Sequence, residues 1–148
     1  MKLFISKPLL FAAVVFLFTT ASNNPRQTDK VYETCRQQIS EEFIQNGQPM
    51  RALLTGAEVA EFRTTMFEGN TYRITACTPG DEDIWFSVYD TNDNLIFSSA
   101  QHDHSNTWDF KMEGNMECVI EAGLLSESSD SGMALILIGF KNAEIARH

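Results

Sequence analysis

The sequence predicts an all-β protein: an antiparallel, jelly-roll-like β-sandwich of about seven strands with one N-terminal amphipathic helix. Three observations carry this. Beyond Ala57 apolar residues recur with period two, clusters of Gly, Asn, Asp and Pro separate the runs, and a sustained four-residue apolar period occurs once, before Ala57. A strand sends alternate side chains to opposite faces, so short runs with one apolar face need a second sheet to bury them.

The chain of 148 residues opens with Lys2 and Lys7, the apolar run 9–18 and the small-residue exit Thr19-Thr20-Ala21. This is the pattern of a secretory signal peptide over residues 1–21, its apolar core well short of the roughly 20 residues a membrane span needs. Residues 22–28 are polar, contain Pro25 and read as a flexible lead-in to a single domain over residues 29–148. In residues 29–46, Val31, Cys35, Ile39 and Phe43 recur every fourth position, predicting the helix, with Thr28 or Asp29 as N-cap and Gly47 as stop signal. Ala60, Phe62, Thr64 and Met66 then alternate with Glu61, Arg63 and Thr65, and after Gly69-Asn70 the alternation resumes at Tyr72, Ile74 and Ala76. Further strands are expected over residues 84–89, 95–98, 107–112, 116–122 and 133–140. The last is apolar on both faces, as suits a central strand covered on each side.

Charge narrows the partners. Lys and Arg number 11 against 20 Asp and Glu, a formal net charge of −9, and both lysines of the signal leave with it. Without a basic cluster to release counterions from a phosphate backbone, no nucleic-acid partner is expected. No second apolar span follows, so no membrane span is expected after signal removal. The expected location is secreted or periplasmic.

The segment Phe67-Glu68-Gly69-Asn70-Thr71-Tyr72-Arg73-Ile74, the hairpin Phe86-Ser87-Val88-Tyr89-Asp90-Thr91-Asn92-Asp93-Asn94-Leu95-Ile96 and the apolar run 133–140 together resemble bacterial pre-peptidase C-terminal (PPC-like) β-sandwich domains. The similarity covers residues 57–141 and is a pattern of turns and alternation. It implies a secreted accessory domain that binds or positions rather than catalyses. The sequence departs from that pattern in carrying the helix, and no enzyme domain is expected beside it.

Three cysteines, Cys35, Cys77 and Cys118, sit in an exported chain, where disulfides persist. Cys118 shares a face with Met116, Ile120 and Ala122 and is expected to point into the core. Cys77 shares one with Arg73 and Thr75 and is expected to point outward, where a docked helix would bring Cys35. The expected bond is Cys35–Cys77 with Cys118 buried and free; no disulfide, or Cys77–Cys118, remains the alternative. Glu117 and Glu121 beside Cys118 disfavour a nucleophilic thiolate.

Two metal-like clusters stand out. His102-Asp103-His104, if extended, would put both imidazoles on one side, as zinc or copper requires. Asp90, Asn92 and Asn94 begin like a calcium loop, but Leu95 stands where the turn glycine belongs and Gln101 where the bidentate Glu belongs, so a plain Asp/Asn turn is expected. No cofactor is expected, calcium being the one ion this turn leaves open. Motifs of serine hydrolases, zinc proteases and phosphate-binding loops are missing, and no catalytic residues are assigned.

Aromatic residues are the better functional candidates. Trp85 and Tyr89 flank Ser87 on the face opposite Ile84, Phe86 and Val88, and Trp108 lies on another strand. Exposed, they would form a platform for sugar rings; yet the helix needs an apolar surface, and this one is the expected supply. The function expected is an exported non-catalytic module binding an extracellular or envelope ligand, a glycan among the candidates. The alternatives are a structural or protein-interaction component of the envelope and, further off, a small secreted hydrolase.

Overall fold

The structure, a computed structural model, describes residues 25–79, 83–125 and 131–142. It holds one helix, α1 (Pro25–Ile39), and nine strands: β1 (Ile44–Gln45), β2 (Met50–Leu54), β3 (Val59–Met66), β4 (Asn70–Cys77), β5 (Ile84–Asp90), β6 (Leu95–Ser98), β7 (Thr107–Lys111), β8 (Met116–Leu124) and β9 (Gly132–Asn142). All pairs are antiparallel. One sheet runs β2-β9-β4-β7, with β1 also on β9; the other runs β3-β8-β5-β6. The pairs are therefore nested, β5 with β6, β4 with β7, β3 with β8 and β2 with β9, and alternate between the sheets. This is a jelly-roll sandwich.

The alternation read in the sequence fills the space between the sheets. Tyr72, Ile74 and Ala76 of β4 and Ala134, Ile136 and Ile138 of β9 meet Phe86 and Val88 of β5 and Cys118, Ile120 and Ala122 of β8, all buried. The seven expected strands are present. Two more, β1 and β2, precede them: β1 lies where helix was expected, and β2 fits its Met50, Ala52 and Leu54 against the core.

The helix begins at Pro25 and ends at Ile39 rather than spanning residues 29–46, so Thr28 and Asp29 are not its cap and residues 25–28 are helical rather than lead-in. Proline's fixed φ and missing N–H suit a first helical turn. Ser40, at φ 63°, ends the helix in place of Gly47. A turn in which the Phe43 amide donates to the Ser40 carbonyl (3.4 Å) returns Phe43 to the stripe of Val31, Cys35 and Ile39. Residues 1–21, expected to be a signal peptide, and residues 22–24 lie outside the described residues, among which no helix is long and apolar enough to cross a membrane.

The helix stripe packs on the outer face of the β2-β9-β4-β7 sheet, over Cys77, Leu135 and Leu137, forming a second apolar cluster apart from the main core. β9 is thereby covered on both faces, as its composition predicts. The Cys35–Cys77 disulfide joins helix to β4, with Cα atoms 5.8 Å apart, and Cys118 is free and buried. Gly139 admits the end of the helix: a Cβ there would lie 2.7 Å from Ile39 Cγ2 and 2.9 Å from Phe43 Cβ. Arg73 then fixes the turn after α1. Its Nε and Nη2 donate to the two Asp109 carboxylate oxygens at 2.7 and 2.8 Å, Nη1 donates to the Gln38 carbonyl at 3.4 Å, and the guanidinium lies 4.4 Å from the Phe43 ring centre.

Candidate functional site

With the helix on one sheet, no described element covers the outer face of the other. The helix does not cover Trp85 and Tyr89, contrary to the expectation from its need for an apolar surface. Cys77 is on β4 and Trp85 on β5, in different sheets, and one helix covers only one of them. The disulfide fixes which.

Register orders the open face into rungs. Val59, Gly123 and Trp85 stand in line across β3, β8 and β5; Glu61, Glu121 and Ser87 form the next rung, continued by Ser98 of β6; Arg63, Val119 and Tyr89 form the third. Trp85 and Tyr89 are half-buried and Ser87 between them is buried. Trp85 lies against the backbone of β8, since a Cβ on Gly123 would sit 2.7 Å from its Cε2, Cζ2 and Nε1 atoms. A glycine inside a strand often marks such an approach, and this was the available signal for a residue that sequence reasoning did not single out. Glu121, Arg63 and Val119 were also missed, because their place beside the aromatics follows from register between strands far apart in sequence. Beside Val119 the face dips into a depression of about 260 Å³ lined by Arg63, Thr65, Thr91 and Glu117.

Trp108 belongs elsewhere. It pairs with Ile74 across β4 and β7 and so faces inward. Its ring lies 4.8 Å from Phe97 and 4.4 Å from His102, and Phe97 reaches Phe86 at 5.0 Å and Phe110 at 5.6 Å. These rings plug the flank between β6 and β7 and form no part of the platform.

The histidine segment is not extended. A 3-10 turn (Ser99–Gln101) precedes it, and Asp103 and His104 both adopt φ 53°, which breaks the alternation that would set the imidazoles side by side. His102 Nδ1 is 3.0 Å from the Ser98 carbonyl oxygen and its ring stacks on Phe97. His104 instead lines a concavity of about 200 Å³ between α1 and the end of β4, with Gln38, Thr78, Asp83 and Asn106. Among the described residues the Thr78 hydroxyl there is enclosed without a hydrogen-bond partner. Among the described residues no three His, Cys, Asp or Glu side chains gather as a metal site.

At the β5–β6 turn, Asp90 Oδ1 accepts from the amides of Asn92 and Asn94, both at 2.9 Å, and Oδ2 accepts from Asn94 Nδ2 at 2.8 Å. These bonds build an Asp/Asn turn and occupy both carboxylate oxygens. They hold the Asp90 carboxyl below its ordinary range, the Asn94 side chain contributing most. A lowered carboxyl stabilises the fold above its unfolded-state value and loses that effect as pH falls through the folded one. The amide signals of Asn92 and Asn94 are therefore expected to hold steady at neutral pH and to move only below about pH 4, with Asp90→Asn abolishing the transition. Burial pushes the Cys118 thiol up to about 11, so it is protonated at neutral pH and unfit as a nucleophile.

No family model matches the chain, and no curated protein matches it. Among solved structures it is similar to PliG of Aeromonas hydrophila, a periplasmic lysozyme inhibitor of g-type lysozyme, with a TM-score of 0.49 and 12% identity over 64% of this chain and 85% of that one.

Proposed function

We propose that the chain is an exported, non-catalytic module that binds a glycan across the open sheet face. The observation that carries the reading is Trp85 laid on Gly123, on a face the helix leaves uncovered. An indole backed by strand backbone is held in orientation before the ligand arrives, so little side-chain freedom is lost on stacking. Tyr89 stands four residues along the same strand, about 13 Å away at the usual rise per residue, which spans more than one sugar ring. Between the two, Glu61 and Glu121 offer acceptors to sugar hydroxyls, while Arg63, Thr65 and Thr91 offer donors at the depression. The leader pattern and the Cys35–Cys77 bond support an oxidising compartment, and an accessory role agrees with the PPC-like resemblance.

The test is calorimetric titration of the purified protein with soluble oligosaccharides, alongside melting curves, because a ligand of the folded state raises the melting temperature by mass action. Trp85→Ala and Tyr89→Ala are each expected to weaken binding about tenfold, as the loss of one stacked aromatic ring should. Gly123→Ala is expected to do so without removing any aromatic, by lifting the indole from the strand. A glycan panel without heat or melting shift overturns the ligand. The face would then serve a protein partner, the reading favoured by its exposed Val59 and Leu95.

A further inference from the structure

We propose that the free edge of β3 pairs antiparallel with β3 of a second copy of this chain, so that the open sheet runs continuously through a symmetric dimer. Among the described residues β3 is hydrogen-bonded on one side only, to β8, over eight residues in unbroken register. The other edge of its sheet, β6, has four residues and a register shift beside it, and β7 has five. Exposed edges are ordinarily blunted by proline, charged side chains or a bulge; β3 has no proline, lysine or bulge, and its charges are one of each sign, Glu61 and Arg63. Its two charges are of the kind that invite a twin. A two-fold axis at Phe62 sets Phe62 opposite its own copy and Glu61 opposite the second copy's Arg63, twice over. An axis at Glu61 or Arg63 would instead oppose like charges, and one at Ala60 or Thr64 would form neither pair, so the charges favour the Phe62 register.

Phe62 gives an independent reason for a partner. The flank between β6 and β7 is sealed by the rings around Phe97, whereas at the edge formed by β3 Phe62 packs on the core only in part. Two Phe62 rings meeting across the axis would cover that side. Within one chain Arg63 Nη2 already donates to Glu61 Oε1 at 3.0 Å, with both side chains more than half exposed, so these charges are free to form a ring of four at small cost. The pairing does not depend on a sugar ligand.

Sedimentation velocity of the purified protein over a concentration series tests this, with melting curves to show that each variant folds. The protein is expected to shift from one to two chain masses as concentration rises. Arg63→Glu and Glu61→Arg should each weaken the dimer about tenfold or more, since each turns two attractive cross-strand pairs into two repulsive ones, and the double exchange should restore it. A monomer at every concentration, a dimer indifferent to either single reversal, or a loss that the double exchange does not restore would each overturn the proposal.

Discussion

Replacing Cys35 with serine is expected to lower the melting temperature by roughly 15 °C, the largest change available from one substitution outside the main core. The bond closes a loop of sequence separation 42, and its removal restores to the unfolded chain a freedom worth about 4 kcal/mol. The loss should not be evenly spread. Val31, Cys35, Ile39 and Phe43 bury themselves in a cluster apart from the main core, with only Cys77, Leu135 and Leu137 beneath them. Helix amides should therefore exchange with solvent well before those of β4 or β8, which hydrogen exchange under native conditions reads directly. The free thiol supplies a check on the pairing: Cys118 should resist a thiol reagent in the oxidised native protein and react once when denatured. A Cys35→Ser protein that melts within a few degrees of the parent would show that docking, not the bond, holds the helix.

Phe86→Ala is expected to cost about 3–5 kcal/mol, enough to halve a typical domain stability. The ring is fully buried between the sheets and meets Phe97 at 5.0 Å, and Phe97 in turn touches Trp108 and Phe110. Little backbone can move to fill the void, because β5 is paired on both sides, to β8 and β6. Urea midpoints measure the cost, and Phe67→Ala is the control: its ring is 54% exposed, and its loss should fall within about 0.5 kcal/mol. A Phe86→Ala loss below about 1 kcal/mol would contradict the packing described.

Strand parity made much of this legible in advance. Period two at Tyr72, Ile74 and Ala76 and at Phe86 and Val88 separates inside from outside without knowledge of the fold, and the same parity sent Cys77 outward to Cys35 and Cys118 inward. Parity does not say to which sheet a strand belongs. Cys77 and Trp85 both point outward, but β4 and β5 lie in different sheets, so a helix expected over both covers one. Trp108 failed for a related reason: its face is set by pairing with Ile74, a contact made only when β7 joins β4. The histidines failed locally. A 3-10 turn followed by two left-handed residues has no simple apolar period, and the segment reads as extended until Asp103 and His104 are seen at positive φ. Gly123 was overlooked because the strand was ended at Ala122, one residue short of where Trp85 crosses it.

The nested order of the strand pairs has a consequence for the path to the folded state. Val88 finds Phe97 across a turn of a few residues, whereas Met50 must find Ile136 across most of the domain. Closing so long a loop from the open chain would be slow. Once β5 and β6 are joined, however, the ends that must meet to bring β4 to β7 are already near one another, and each closure prepares the next, out to β2 and β9. Loop entropy is then lost in short instalments rather than all at once. On these grounds the Asp90 turn is expected to form early and the helix tied to β4 to dock late, once β9 has completed the floor on which it rests, an order that φ-values at Val88 and Ile39 would read.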